Sequence, residues 1–197
     1  MTRLTLTLLL AVLATLLPAC STCSAEAQAF TLRPDFSNPE AGGHSFLAAL
    51  SCDDGPAEYR CLSEGLKRRH GATLDAWLVA RVAVREEVGG MTQFAFTLQP
   101  LSSTQVPGGT LVWWGIANKP LLGLVMAEQH FFDLYDRGGR KFGSFLNESP
   151  PFHLQGRRLS LTLDNPILRT VPEGTELTNL VVGSEWKVLD FQLPATP

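Results

Sequence analysis

A chain of 197 residues, with 45 % hydrophobic and 18 % charged side chains, suits one globular domain with a sizeable core. The net charge of −3 is small, and the one basic block, Lys67-Arg68-Arg69, is short. Non-specific nucleic-acid binding is therefore excluded from the expected roles.

The first segment reads MTRLTLTLLLAVLATLLPACSTC, with Arg3 ahead of an apolar run from Leu4 to Leu17. As a helix that run reaches roughly 21 Å, short of the roughly 30 Å hydrocarbon core, so it reads as an export signal. Leu17-Pro18-Ala19-Cys20 resembles the bacterial lipobox, although Pro18 departs from its usual small residue. The resemblance implies a signal over 1–19, an acylated Cys20 as mature N-terminus and a lipid anchor in the cell envelope. Ser21 in the next position implies the outer membrane. Ala25-Glu26-Ala27 and Ala27-Gln28-Ala29 offer a second reading, ordinary signal-peptidase cleavage and a periplasmic or secreted product.

Residues 20–37 read as a flexible linker holding an unpaired Cys23, and residues 38–197 as a single domain. In an oxidising compartment Cys52 and Cys61 are natural disulfide partners, closing a loop of about ten residues for roughly 2.6 kcal/mol. Two buried thiols that never meet are the alternative. Three helices follow. Asn38-Pro39-Glu40 opens the first, with Phe46, Leu47 and Leu50 as its apolar stripe and Gly42-Gly43 as a weakness. Asp54-Gly55-Pro56 opens the second, which runs through Tyr59, Leu62 and Leu66 to Gly71. Thr73 caps the third, with Leu74, Trp77, Leu78 and Val82 on one face and Gly89-Gly90 as its stop.

Beyond Gly90 the period becomes 2. Phe94, Phe96 and Leu98 alternate as a strand. Leu111 to Ile116 and Leu121 to Met126 flank a turn at Asn118-Lys119-Pro120, and Phe131 to Tyr135 and Lys141 to Leu146 flank Asp136-Arg137-Gly138-Gly139-Arg140. Leu159, Leu161 and Leu163 mark a further strand. Leu177 to Val182 and Glu185 to Leu193 pair across a type II′ turn at Gly183-Ser184. Helices first and strands afterwards make an α+β domain: three N-terminal helices packed on a curved, mainly antiparallel sheet.

Three pieces of the chain resemble the NTF2-like superfamily, a cone-shaped α+β fold. They are Ser45-Phe46-Leu47-Ala48-Ala49-Leu50, then Tyr59-Arg60-Cys61-Leu62-Ser63-Glu64 through Thr73-Leu74-Asp75, and Gly183-Ser184-Glu185-Trp186-Lys187-Val188-Leu189-Asp190-Phe191. A cystatin-like relative or an unclassified α+β fold is the alternative. The resemblance implies a cavity between helices and sheet, which can bind an apolar ligand, host acid–base chemistry or be packed shut.

Four histidines, His44, His70, His130 and His153, show no spacing that joins two on one metal, and no nucleophile motif or phosphate loop is present. No catalytic residue, metal or cofactor is therefore assigned. His70 reads as a helix cap and His130 as a residue preceding a strand. Trp113, Trp114, Asp133 and Tyr135 are the candidate pocket residues, the two tryptophans pointing to opposite faces of a strand. The leading expectation is a non-enzymatic, lipid-anchored binding module whose partner is an envelope protein or a small apolar ligand. The second is a small cavity enzyme of isomerase or dehydratase type, with Asp133 or Asp190 as its acid.

Overall fold

The computed structural model describes residues 23–147, 152–155, 158–161 and 177–194; the leader and Cys20 lie outside them. Among the described residues five helices come first: α1 (Ala25–Leu32), α2 (Pro39–Ser51), α3 (Gly55–Cys61), α4 (Glu64–Arg69) and α5 (Leu74–Val88). Each has a side-chain cap. Ser24, Asn38, Asp54, Ser63 and Thr73 all accept a hydrogen bond from the backbone N–H three residues on.

Two of these helices correct the reading from sequence. Within the stretch expected to be a linker, Ala25–Leu32 is helical and lies against α2, with the Phe30 ring edge-on to His44 at 4.9 Å. The expected second helix is broken in two, because Leu62 bridges to Val188 and the Ser63 N–H donates to the Val188 carbonyl. A backbone occupied by a strand cannot continue a helical ladder.

The cysteines are also redistributed. Cys52 bonds to Cys23, with their Cα atoms 4.5 Å apart, rather than to Cys61. Cys52 caps the end of α2 where α1 begins, whereas Cys61 ends α3 facing the core. Burial pushes the free Cys61 thiol up to about 12, so it stays protonated and inert.

Helix α5 is rolled away from the expected face. Trp77 is buried, yet Leu78 and Val82 are exposed and Arg81 and Arg85 turn inward. The cause is Glu58, a fully buried carboxylate on α3 that needs a counter-charge. Arg81 grips it through two hydrogen bonds of 2.6 and 2.8 Å and reaches Asp53 at 2.7 Å. Gly89–Thr97, expected to hold a strand, forms a 3-10 segment instead. It buries Thr92 and Ala95, with Leu98 next in the same period of three.

Among the described residues the main sheet is antiparallel and has five strands: β1 (Gln99–Val106), β2 (Gly109–Ile116), β3 (Lys119–Asp136), β4 (Lys141–Asn147) and, after a separate pair, β7. That pair is β5 (Phe152–Gln155) with β6 (Arg158–Leu161); Leu163 lies outside the described residues. A two-residue turn joins β2 to β3, with Ala117 and Asn118 at φ of 49° and 65°. β3 is continuous over 18 residues, so His130 sits mid-strand rather than before one. β7 (Leu177–Gln192) is likewise unbroken, and no turn forms at Gly183-Ser184. It follows one edge of β3 from Gly123 to Asp136, leaving β2 and β4 to share the other edge. Gly183 is there for room: a Cβ on it would lie 2.5 Å from the Phe131 ring.

The core lies between α2 and the sheet, where Phe46, Leu47 and Leu50 meet Trp114, Leu122, Leu124, Met126 and Val188. Gly42 and Gly43, a weakness by propensity, allow this approach. A Cβ on Gly42 would collide with the Trp186 carbonyl oxygen, and one on Gly43 would stand 2.7 Å from the Trp114 ring.

Candidate functional site

The N-terminal end of α2 meets the first strands in an open depression of ≈ 290 Å³. The Asn38 cap and Pro39 start the helix, which sets Glu40, Ala41 and His44 on one side at i, i+1 and i+4. The chain leaving the 3-10 segment supplies Leu98, Gln99 and Pro100. Pro100 pairs with Trp114 in the register of β1 on β2, and Trp114 lies in the depression's wall. β1 ends the strand order, so a proline there forfeits no central ladder bond.

His44 sits within an aromatic cluster. Its ring stacks on Phe96 at 4.6 Å and runs parallel to Trp114 at 6.1 Å, tilted by 5°. Burial lowers its pKa below 6.5, and this outweighs the opposing pull of the Phe96 carbonyl and of Glu26 on α1. The imidazole is therefore mostly neutral near pH 7, with its N–H turned to the Phe96 carbonyl and one acceptor nitrogen left. The Trp114 indole N–H is buried without a hydrogen-bond partner. Exposed Asn38, Glu40 and Gln99 form a polar rim around this apolar floor. The arrangement can hold a flat or apolar group and orient it through polar contacts at the edge.

The four residues singled out from sequence are not brought together. Trp113 lies on the far face of β2, packed over Gly123. Asp133 is buried further along β3, where Lys141 holds one carboxylate oxygen at 2.8 Å and the other has no partner. Tyr135 follows it, opposite Lys141. Asp190, the other candidate acid, is exposed and lies 3.6 Å from Arg69. Neither acid lines the depression at α2. The side chain of His153 is not among those described. His130 is half-buried, with Nδ1 unpartnered.

His70 ends α4, its backbone N–H donating to Lys67 O and its ring edge-on to Trp77 at 5.5 Å. It also lines a second depression of ≈ 210 Å³ with Glu87, Asp190 and Phe191. Among the described residues no three His, Cys, Asp or Glu side chains are placed to share a metal ion. None of their helices is long and apolar enough to cross a membrane.

His44 was within reach of sequence reasoning. Glu40 and His44 are four apart just after a helix cap, a spacing that puts both on one face. Phe96 was not, because its alternation with Phe94 and Leu98 imitates a strand. No family model, curated protein or solved structure matches this chain.

Proposed function

We propose that this protein is an exported, lipid-anchored envelope protein whose domain is an interaction module, with its contact site at the His44–Trp114 depression. The observation that carries the reading is the depression itself, with an aromatic floor, a neutral imidazole and a polar rim. At ≈ 290 Å³ it falls just below the roughly 300–1,000 Å³ of sites for drug-sized ligands. One apolar or aromatic side chain of a partner protein suits it better than a free metabolite. The leader and the lipobox-like Leu17-Pro18-Ala19-Cys20 support export and anchoring, and the Cys23–Cys52 bond is in keeping with an oxidising compartment. Helices ahead of a bulged antiparallel sheet favour an NTF2-like or cystatin-like architecture, since each bulge bends its strand.

The test is site-specific crosslinking in the envelope. A photoreactive residue replacing Gln99 at the rim should capture a partner that the same residue at Val181, on β7, does not. Ala41→Arg, which fills the depression from its half-exposed wall, should abolish that capture while the protein stays folded. Equal capture at both positions, or capture indifferent to Ala41→Arg, would refute the assignment.

A further inference from the structure

We infer that the open edge of β1 takes an extended segment of a partner protein as an added antiparallel strand, which delivers one apolar side chain into the His44–Trp114 depression. The inference rests on the contact-site reading above and adds the form in which the partner binds.

The edges of the sheet supply the first argument. Among the described residues β1 pairs with β2 alone, so its outer backbone N–H and C=O groups are left without a strand. The outer edge of β7 is instead covered by the chain itself. There the Trp186 N–H donates to the Phe36 carbonyl, and the Ser63 N–H donates to that of Val188. On β1 every residue is exposed except Leu101 and Val106, which are half-buried. Natural sheet edges are commonly blunted by charge. Here no charged side chain occurs between Glu87 and Lys119. Pro100 and the bulge beside it interrupt pairing only at the start of the strand, and Ser102 to Val106 run in regular register. That interval spans about 14 Å, room for a short added strand.

The second argument is where the edge leads. Gln99 and Pro100 begin β1 and also line the depression, so a strand added along β1 runs into it. Pro100 opposes Trp114, whose ring lies under Gly43 of α2, so both belong to the face that α2 covers. A partner residue drawn up beside Pro100 on that face has its side chain directed at the depression. Backbone pairing gives out where Pro100 lacks an N–H, and a side-chain contact takes its place. Antiparallel addition continues the pattern of the sheet and brings the C-terminal end of the partner segment to the depression.

A second copy of this chain is the poorer occupant. Joining two β1 edges antiparallel keeps like faces on one side of the extended sheet. Val106 opposes Gly109, on the face away from Trp114, and Leu101 packs against Gly115. Gln105, on the correct face, is tied to Thr110 at 3.0 Å. β1 therefore has no free apolar side chain to offer the depression of another copy.

The experiment uses the full chain in its own envelope. Photoreactive benzoylphenylalanine replaces Gln99, Ser102, Ser103 or Thr104 in turn, and each crosslinked peptide is sequenced. The captured residues should fall in one partner segment of about ten residues or fewer, in the reverse order to β1. That segment, synthesised as a peptide, is then added to the purified protein. Hydrogen exchange should slow several-fold at alternate amides between Ser102 and Val106, the signature of a strand added at one edge. Alanine in place of the peptide residue captured at Gln99 should weaken binding about tenfold. Capture at Gln99 alone, scattered or same-order captures, or unchanged exchange along β1 with the peptide bound would overturn the inference and leave the depression as a contact site. Crosslinks to β1 of a second copy would overturn it in favour of self-pairing. Capture at none of the four positions would remove the contact-site reading and this inference together.

Discussion

The two ends of α2 differ in how their polar groups are paired. At its C-terminal end Cys52 is bonded to Cys23, and Asp53 and the buried Glu58 are locked by Arg81 and Arg85. The four charged side chains there are paired with one another across α3, α5 and the turn before α3. At the N-terminal end Glu40 and Gln99 are exposed, and His44 is neutral over a tryptophan whose N–H has no partner. Under the function proposed above, stability and recognition are separated along one helix of 13 residues. A site can keep unsatisfied groups only where the rest of the scaffold holds without them.

That separation can be broken from the stable end. Glu58→Ala should cost about 3–5 kcal/mol in urea denaturation, because it leaves a largely buried arginine with the exposed Asp53 as its counter-charge. Crosslinking through Gln99 should persist wherever this variant still folds. Cys23→Ser should cost about 3–4 kcal/mol for a disulfide spanning 29 positions. Non-reducing peptide mapping of the parent protein should return a Cys23–Cys52 peptide and a free Cys61. Recovery of a Cys52–Cys61 peptide would refute this arrangement.

Between the two ends, Gly42→Ala should lose about 1–3 kcal/mol through overpacking. Gly43→Ala should lose less, since a tryptophan ring gives way more readily than the Trp186 carbonyl. Thermal unfolding ranks the pair, and the reverse order would mean that α2 does not sit on β7 as described.

The smallest effect lies at the N-terminal end of α2. Burial holds the His44 pKa below 6.5, so the unfolded chain takes up that proton first as pH falls. The contribution of His44 is whole above pH 6.5 and drains away between 6.5 and its lower folded value. Relative to His44→Gln, the parent protein should therefore lose stability on going from pH 7.5 to 5.5. Parallel stability curves for the two proteins would contradict a buried imidazole.

Local rules carried the helix starts and several of the turns. Asn38, Asp54 and Thr73 cap where their side chains say they should, and Asn118 and Gly139 close the hairpins expected of them. These features need only neighbouring residues, so a linear reading reaches them. The α+β order follows for the same reason, from a change of period after Gly90.

Decisions made at a distance were out of reach. Cys52 was expected to pair with Cys61, and that pairing lost because α3 turns Cys61 into the core, leaving Cys52 to Cys23. The roll of α5 was settled by a carboxylate on another helix, and the break at Leu62 by a strand 126 positions later. Gly183-Ser184 has the composition of a turn, yet β7 runs straight through it beside Phe131. The order of elements and most of the helix starts thus belong to the chain alone. Which faces turn inward, which cysteines meet and where a depression opens belong to the tertiary structure, because burial and pairing are decided between segments that sequence distance keeps apart.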